Sequence, residues 1–371
     1  MSETRKRVHS SSTAGVQKER STLSPDQDHL VVSKSRFKNC FTTWFSPIFE
    51  SFYLFCALSV VRKNWKNKCI GKTAEGGMIL SVIVLMNILS FGVNPNATAM
   101  SVINSDLKLT EKFRAQDFKK IRTDHYLEGF MMISSIVGFA SAFINLGRVI
   151  VDHCAPPFLG AYFFQCSPCS GRNPEVNCVA LIVILVADFY FVFTILHKGF
   201  FYLIHVVFAT TGRMVDYLEI IRSSSSDNLH IYKALQILEA QLNDYVRLRV
   251  MPAFISLVPV IEVLSLFVII KLHGQVPLPG FLLFPQGFIT TGSALIVYET
   301  VAAILNTKSA QTIGKWGQQE IYRGKVKRRE VRSLRSLMVK FGANYIDKGT
   351  PLVTQNFCVS QTVSMLLMKR Q

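Results

Sequence analysis

Residues 176–211 read VNCVALIVILVADFYFVFTILHKGFFYLIHVVFATT, and this stretch decides the fold class. Only Asp188 and Lys198 are charged in it, with His197 and His205 alongside. A bilayer core about 30 Å thick is crossed by about 20 apolar helical residues. The stretch is therefore one long membrane span continuing beyond the membrane, or two spans split at His197-Lys198-Gly199.

Further apolar stretches lie on both sides of it, at 45–61, 77–93, 127–150, 251–272, 281–305 and 351–368. The first carries Pro47 and Glu50, and the second is free of charge. The composition agrees. Of 371 residues 49% are hydrophobic and only 18% charged, against about 25% charged in soluble domains. Soluble enzyme, coiled coil and disordered protein are excluded as classes.

The net charge is +17, and its placement identifies its cause. Segment 308–348 holds eleven Lys/Arg against three Asp/Glu, and segment 1–40 holds eight against four. Both flank apolar spans, as the positive-inside bias of cytoplasmic loops requires. No basic run interleaves aromatics as a base-stacking surface would, so nucleic acid is excluded as a partner.

Segment 1–40 is expected to be a disordered basic cytoplasmic tail with no removable signal peptide. Segment 41–307 is the transmembrane bundle of spans one to six, with a cytoplasmic helical extension at 212–250. Segment 308–348 is the basic cytoplasmic segment, and 349–371 holds the final span. The two basic segments must share a side, so six crossings separate them. Counting 176–211 once gives an all-α membrane protein with seven transmembrane helices in inverted topology, N-terminus cytoplasmic and C-terminus outside. Its cost is that the basic stretch 62–72 faces outward. Dropping 45–61 and splitting 176–211 also gives six crossings. The two arrangements differ at the sequon Asn96-Ala97-Thr98, inside in the first and outside in the second.

Within the extension, Ile231, Leu235, Leu238, Leu242 and Tyr245 form a stripe at helical spacing after the turn signal at 223–227. That stripe must cover its own neighbours or another subunit. Cys154, Cys166, Cys169 and Cys178 share one loop, whose chemistry is disulfide, free thiol or half a zinc site. Cys40, Cys56, Cys69 and Cys358 read as isolated thiols. Asp188, Lys198, Glu262 and Glu299 are charges inside spans, which pair between helices or line a polar cavity. No nucleophile elbow, zinc-protease motif or phosphate loop is present, so no catalytic residue, metal or cofactor is expected. Asp188, Phe189, Tyr190 and Phe193 on span four, with Phe284 and Phe288 on span six, are the expected lining of a pocket for a small organic ligand.

The end of the chain carries a partial motif. Thr362 is followed by Val363 and a run of apolar residues before Lys369-Arg370-Gln371, and Lys340-Phe341-Gly342 precedes the span. In plan and in this segment the chain resembles the insect gustatory and odorant receptor superfamily, whose last span carries Thr-Tyr and ends in Gln-Phe. Val363 stands for the Tyr, and Lys369 and Arg370 lie near the Gln-Phe position. The resemblance implies a multi-pass plasma-membrane chemosensory receptor, a ligand-gated cation channel responding to tastants or odorants. It implies a homo-tetramer, or a hetero-tetramer with a related subunit, with span seven lining the pore and ligand held among spans two, three, four and six. Gln355, Val359, Thr362 and Leu366 would then face the pore, Leu366 as a hydrophobic gate, while Lys369 and Arg370 would repel cations. A G-protein-coupled receptor is the alternative. It needs an outside N-terminus and finds Asn145-Leu146-Gly147-Arg148 where an acidic-Arg-Tyr triplet belongs. A transporter or scaffold without gating is a third reading, against which no internal repeat is seen.

Overall fold

The computed structural model describes residues 46–90, 95–115, 124–164, 166, 167, 169, 176–223, 228–276, 278, 280–319, 322 and 324–368. Segment 1–40, most of the turn at 223–227, Cys40, Lys369 and Arg370 lie outside the described residues.

Seven helices coincide with the apolar stretches or extend them. They are α1 (Ser46–Lys66), α2 (Ile70–Ser90), α4 (Asp124–Val151), α6 (Cys178–Phe200), α9 (Met251–Lys271), α10 (Leu283–Gln318) and α12 (Thr350–Leu367). Between them lie α3 (Pro95–Ala115), the short α5 (Leu159–Phe163), α7 (Ala209–Ser223), α8 (Leu229–Tyr245) and α11 (Lys325–Ser333). A two-residue antiparallel pair, β1 (Lys340–Phe341) with β2 (Asn344–Tyr345), departs from the all-α expectation. Its tight turn needs a left-handed residue, and Gly342 supplies it at φ 56°.

Two π-helical segments, Phe201–Phe208 and Val246–Val250, carry α6 into α7 and α8 into α9 without a break. Helix therefore runs from Cys178 to Ser223, 46 residues, and from Leu229 to Lys271, 43 residues. At 1.5 Å per residue both exceed 60 Å, about twice a bilayer core. By length and composition four helices among the described residues can cross a membrane: Ile70–Ser90, Cys178–Ser223, Leu229–Lys271 and Gly280–Gln318.

The parts beyond the apolar bands continue the same buried core. The α8 stripe of Ile231, Leu235, Leu238 and Leu242 is buried within the chain. It lies against α3 and α7, so of its two readings the structure shows cover for its own neighbours. α3 had no counterpart in the sequence reading, because its mean composition is polar. Its Ala99, Val102, Leu109 and Phe113 nonetheless form a buried stripe at helical spacing. The segment before β1 is tied down by polar contacts. Leu337 N donates to Ser309 Oγ at 2.9 Å, Lys340 N donates to Asn243 Oδ1 at 2.8 Å, and Arg335 pairs with buried Glu239 at 3.0 Å.

Candidate ligand-binding site

A cavity of about 130 Å³ lies among α2, α4, α6, α9 and α10. Each helix gives it one face. On α6 the lining residues Val192, Ile195, Leu196 and Phe200 follow the 3.6 period, as do Phe254, Val258 and Ile261 on α9. Met78, Ile79, Val82 and Met86 of α2 complete an apolar wall. Polar groups come from Ser141 and Asn145 on α4 and from Gln286, Thr290 and Thr291 on α10. An apolar cavity of about 150 Å³ is known to hold a molecule the size of benzene.

None of the six expected pocket residues lines this cavity. Asp188 lies one turn outward on the cavity-facing stripe of α6. Its Oδ1 accepts from the Tyr53 hydroxyl at 2.8 Å and from Leu159 N at 3.2 Å. A buried carboxyl recruits such partners, and here it ties α1 and the start of α5 to α6. Phe189 and Phe193 occupy a different face and form an aromatic ladder with Phe139, Phe143 and His197. Tyr190 is exposed, Phe284 is wholly buried in the core, and Phe288 is half-buried. The expectation chose Phe189, Tyr190, Phe193, Phe284 and Phe288 by residue type, whereas one face of each helix meets this cavity. Asn145, Ser141 and Gln286 were missed. Their signal was an i, i+4 polar pair inside an apolar span and a lone amide in another.

The other charges within spans are used between helices. Lys198 Nζ contacts Glu50 Oε1 at 2.9 Å and Ser46 Oγ at 2.7 Å. Above the cavity Arg148 pairs with Glu75 at 2.6 Å and donates to the Pro156 carbonyl at 2.6 Å. Arg148 and Glu75 are both buried, and such a pair is held by its geometry and costly to break.

Two disulfides secure the loop above this layer, Cys154–Cys166 and Cys69–Cys169. Cys69, read as an isolated thiol, is thus bonded across 100 residues of sequence. Cys178, grouped with the disulfide candidates, is an exposed free thiol at the start of α6. Spacing along one loop could not reveal a partner on the α1–α2 connection. With three of the four loop thiols consumed, the zinc alternative has no ligand set.

α12 packs on α9 and α10 through Thr354, Cys358 and Thr362, its only buried residues. Of the four expected pore residues, Thr362 therefore faces the protomer interior and donates to the Cys358 carbonyl at 2.8 Å. Gln355 and Leu366 are half-buried, and only Val359 is exposed. The buried face is chosen by polar groups opposite it: Glu299 of α10 meets Thr354, and Glu262 of α9 lies beside Cys358 and Gln355. The uncovered face carries Asn356, Ser360 and Ser364 one turn apart, ending at Leu367, which is 75% exposed.

Long apolar helices with charges paired between them define a multi-pass helical membrane protein. No family model matches the sequence, and no curated protein is similar to it in sequence. The structure is similar to that of the insect olfactory receptor OR5 from Machilis hrabei in complex with eugenol. The TM-score is 0.54 at 10% identity, covering 91% of this chain and 93% of that one. A second structure of OR5 from Machilis hrabei gives 0.43 at 10% identity over 92% and 94% of the two chains. The chain thus has the fold of that insect olfactory receptor.

Proposed function

We propose that this chain is a subunit of a ligand-gated cation channel of the plasma membrane, a chemosensory receptor for small organic tastants or odorants. The observation that carries the proposal is the largely apolar, partly open cavity among five helices, sized for one small ring. A ligand there touches α9 and α10, the two helices on which α12 packs. Binding that favours one packing of these helices shifts α12 with them.

The proposed topology has seven crossings, with the N-terminus and the basic segment 308–348 in the cytoplasm. Two features support it over the split arrangement. Helix continues through His197-Lys198-Gly199 without a break, so 176–211 counts once. The two disulfides belong in an oxidising compartment, which puts the 62–72 and 152–177 connections outside. The cytoplasmic extension then consists of α3, α7, α8 and the inner part of α10, with α11 and the 334–348 segment against it.

In this reading α12 lines a pore shared by four copies, or by this chain and a related subunit. We assign the pore to the face with Asn356, Ser360 and Ser364, not to the Thr362 face. Polar side chains left uncovered on a membrane helix belong against water or a polar neighbour. Leu367 at the end of that stripe is the hydrophobic constriction, in place of Leu366.

Whole-cell recording tests both parts. Val258→Trp fills the cavity and is expected to abolish ligand-evoked current while leaving surface expression intact. In Ser360→Cys, thiol reagents are expected to block open channels. Full responses in the first, with no block in the second, would refute the proposal.

A further inference from the structure

The cavity leaves two acceptors without a donor. Asn145 and Gln286 both line it, and Asn145 Oδ1 and Gln286 Oε1 are buried with no hydrogen-bond partner.

The orientation of each amide follows from its neighbours. Asn145 Nδ2 donates to the Ser141 carbonyl at 2.8 Å. A carbonyl only accepts, so the nitrogen must lie there and Oδ1 is the free end. The Ser141 hydroxyl donates its single proton to the Val137 carbonyl at 2.8 Å. Its oxygen can therefore only accept from Gln286, whose Nε2 lies at 2.6 Å. Turning Asn145 over would set two acceptors against each other, and turning Gln286 over would require the Ser141 hydroxyl to give up the Val137 carbonyl. Both unused atoms are thus carbonyl oxygens.

Buried polar atoms without partners are rare and cost free energy. A ligand that satisfies one must bring a donor. No charged residue lines the cavity, so an ammonium group would be desolvated there without compensation. A neutral hydroxyl meets both conditions.

We infer that the cavity selects small ring-sized alcohols or phenols whose hydroxyl donates to Asn145 Oδ1 or Gln286 Oε1, and rejects the corresponding ethers and hydrocarbons. This rests on the reading of the cavity as the ligand site. A site built to bond a hydroxyl discriminates against an analogue lacking it, because its own polar atom is left unpaired.

The test is equilibrium binding of p-cresol, its isomer anisole, and toluene to the full chain in lipid nanodiscs, with empty nanodiscs subtracted. Wild-type protein is expected to bind p-cresol about tenfold more tightly than anisole or toluene, the effect of one hydrogen bond. The double variant Asn145→Leu, Gln286→Met is expected to bind p-cresol and anisole equally while retaining toluene, which also reports its folding. Equal binding of p-cresol and anisole by the wild type, as a water held between the two carbonyls would produce, overturns the inference and leaves the cavity reading standing. Binding of none of the three by the wild type overturns both.

Discussion

Glu299 of α10 accepts a hydrogen bond from the Thr354 hydroxyl of α12 at 3.0 Å, and both side chains are buried. This contact fastens the first turns of α12 to one of the helices that wall the cavity. Thr354→Val removes the donor and leaves a carboxyl oxygen unpaired, at a cost of about 1–3 kcal/mol. Thr354→Ser keeps the hydroxyl. Thermal unfolding of the purified protein should show a midpoint several degrees lower for the valine variant and a smaller loss for serine. Equal losses would mean that packing, not the hydrogen bond, holds the joint.

Gly199 marks the close approach of α6 and α2. A Cβ there would overlap the Met86 Sδ and lie 2.9 Å from Met86 Cβ and 3.1 Å from its Cα. The last two atoms cannot swing away, so the helices must part. Gly199→Ala is expected to destabilise by about 1–3 kcal/mol. Met86 lines the cavity, so altered affinity should accompany the lower midpoint.

The Cys69–Cys169 bond closes a loop of 100 residues between the α1–α2 connection and the loop before α6. Non-reducing peptide mapping should recover this pair and Cys154–Cys166. Cys69→Ala is expected to lower stability by about 2–4 kcal/mol. Cys178 should react with a membrane-impermeant maleimide on intact cells, and no labelling before permeabilisation would invert the proposed topology.

Asp106 of α3 sits beside Arg213 of α7 at 2.9 Å and is 1% exposed. Burial pushes its carboxyl up to about 6, although Arg213 and Tyr217 act the other way. For an acid whose folded value is raised, the stabilisation is full below the unfolded value of 3.8 and is lost as pH rises through 6. Wild type should therefore gain stability relative to Asp106→Asn at pH 4.5 and lose that advantage by pH 7.5. Midpoints measured at both values check this, and the opposite slope would mean that the ion pair outweighs desolvation.

The apolar stretches were legible because bilayer thickness imposes a length on each one, and length is read along the chain without knowing any contact. The helix Leu229–Tyr245 was legible for a related reason. Outside the bilayer, water separates an apolar stripe such as Leu235, Leu238 and Leu242 from its polar surroundings.

Inside the membrane that contrast disappears. Lipid tails are as apolar as packed leucine, so Phe193 on the aromatic ladder and Ile195 on the cavity wall look alike in sequence. Only the crossing of α2, α4, α6, α9 and α10 decides which face encloses the cavity. The same holds for α12, where Thr362 turned inward because Glu262 and Glu299 lie on that side. Cys69 found Cys169 because the fold brings two connecting loops together, a proximity between residues 100 apart that no local spacing encodes. The sequence by itself determined that the chain is a bundle of long helices, several of them apolar enough to cross a membrane. Tertiary packing decided which residues meet, because in a medium without water contact geometry, not hydrophobicity, distinguishes one helix face from another.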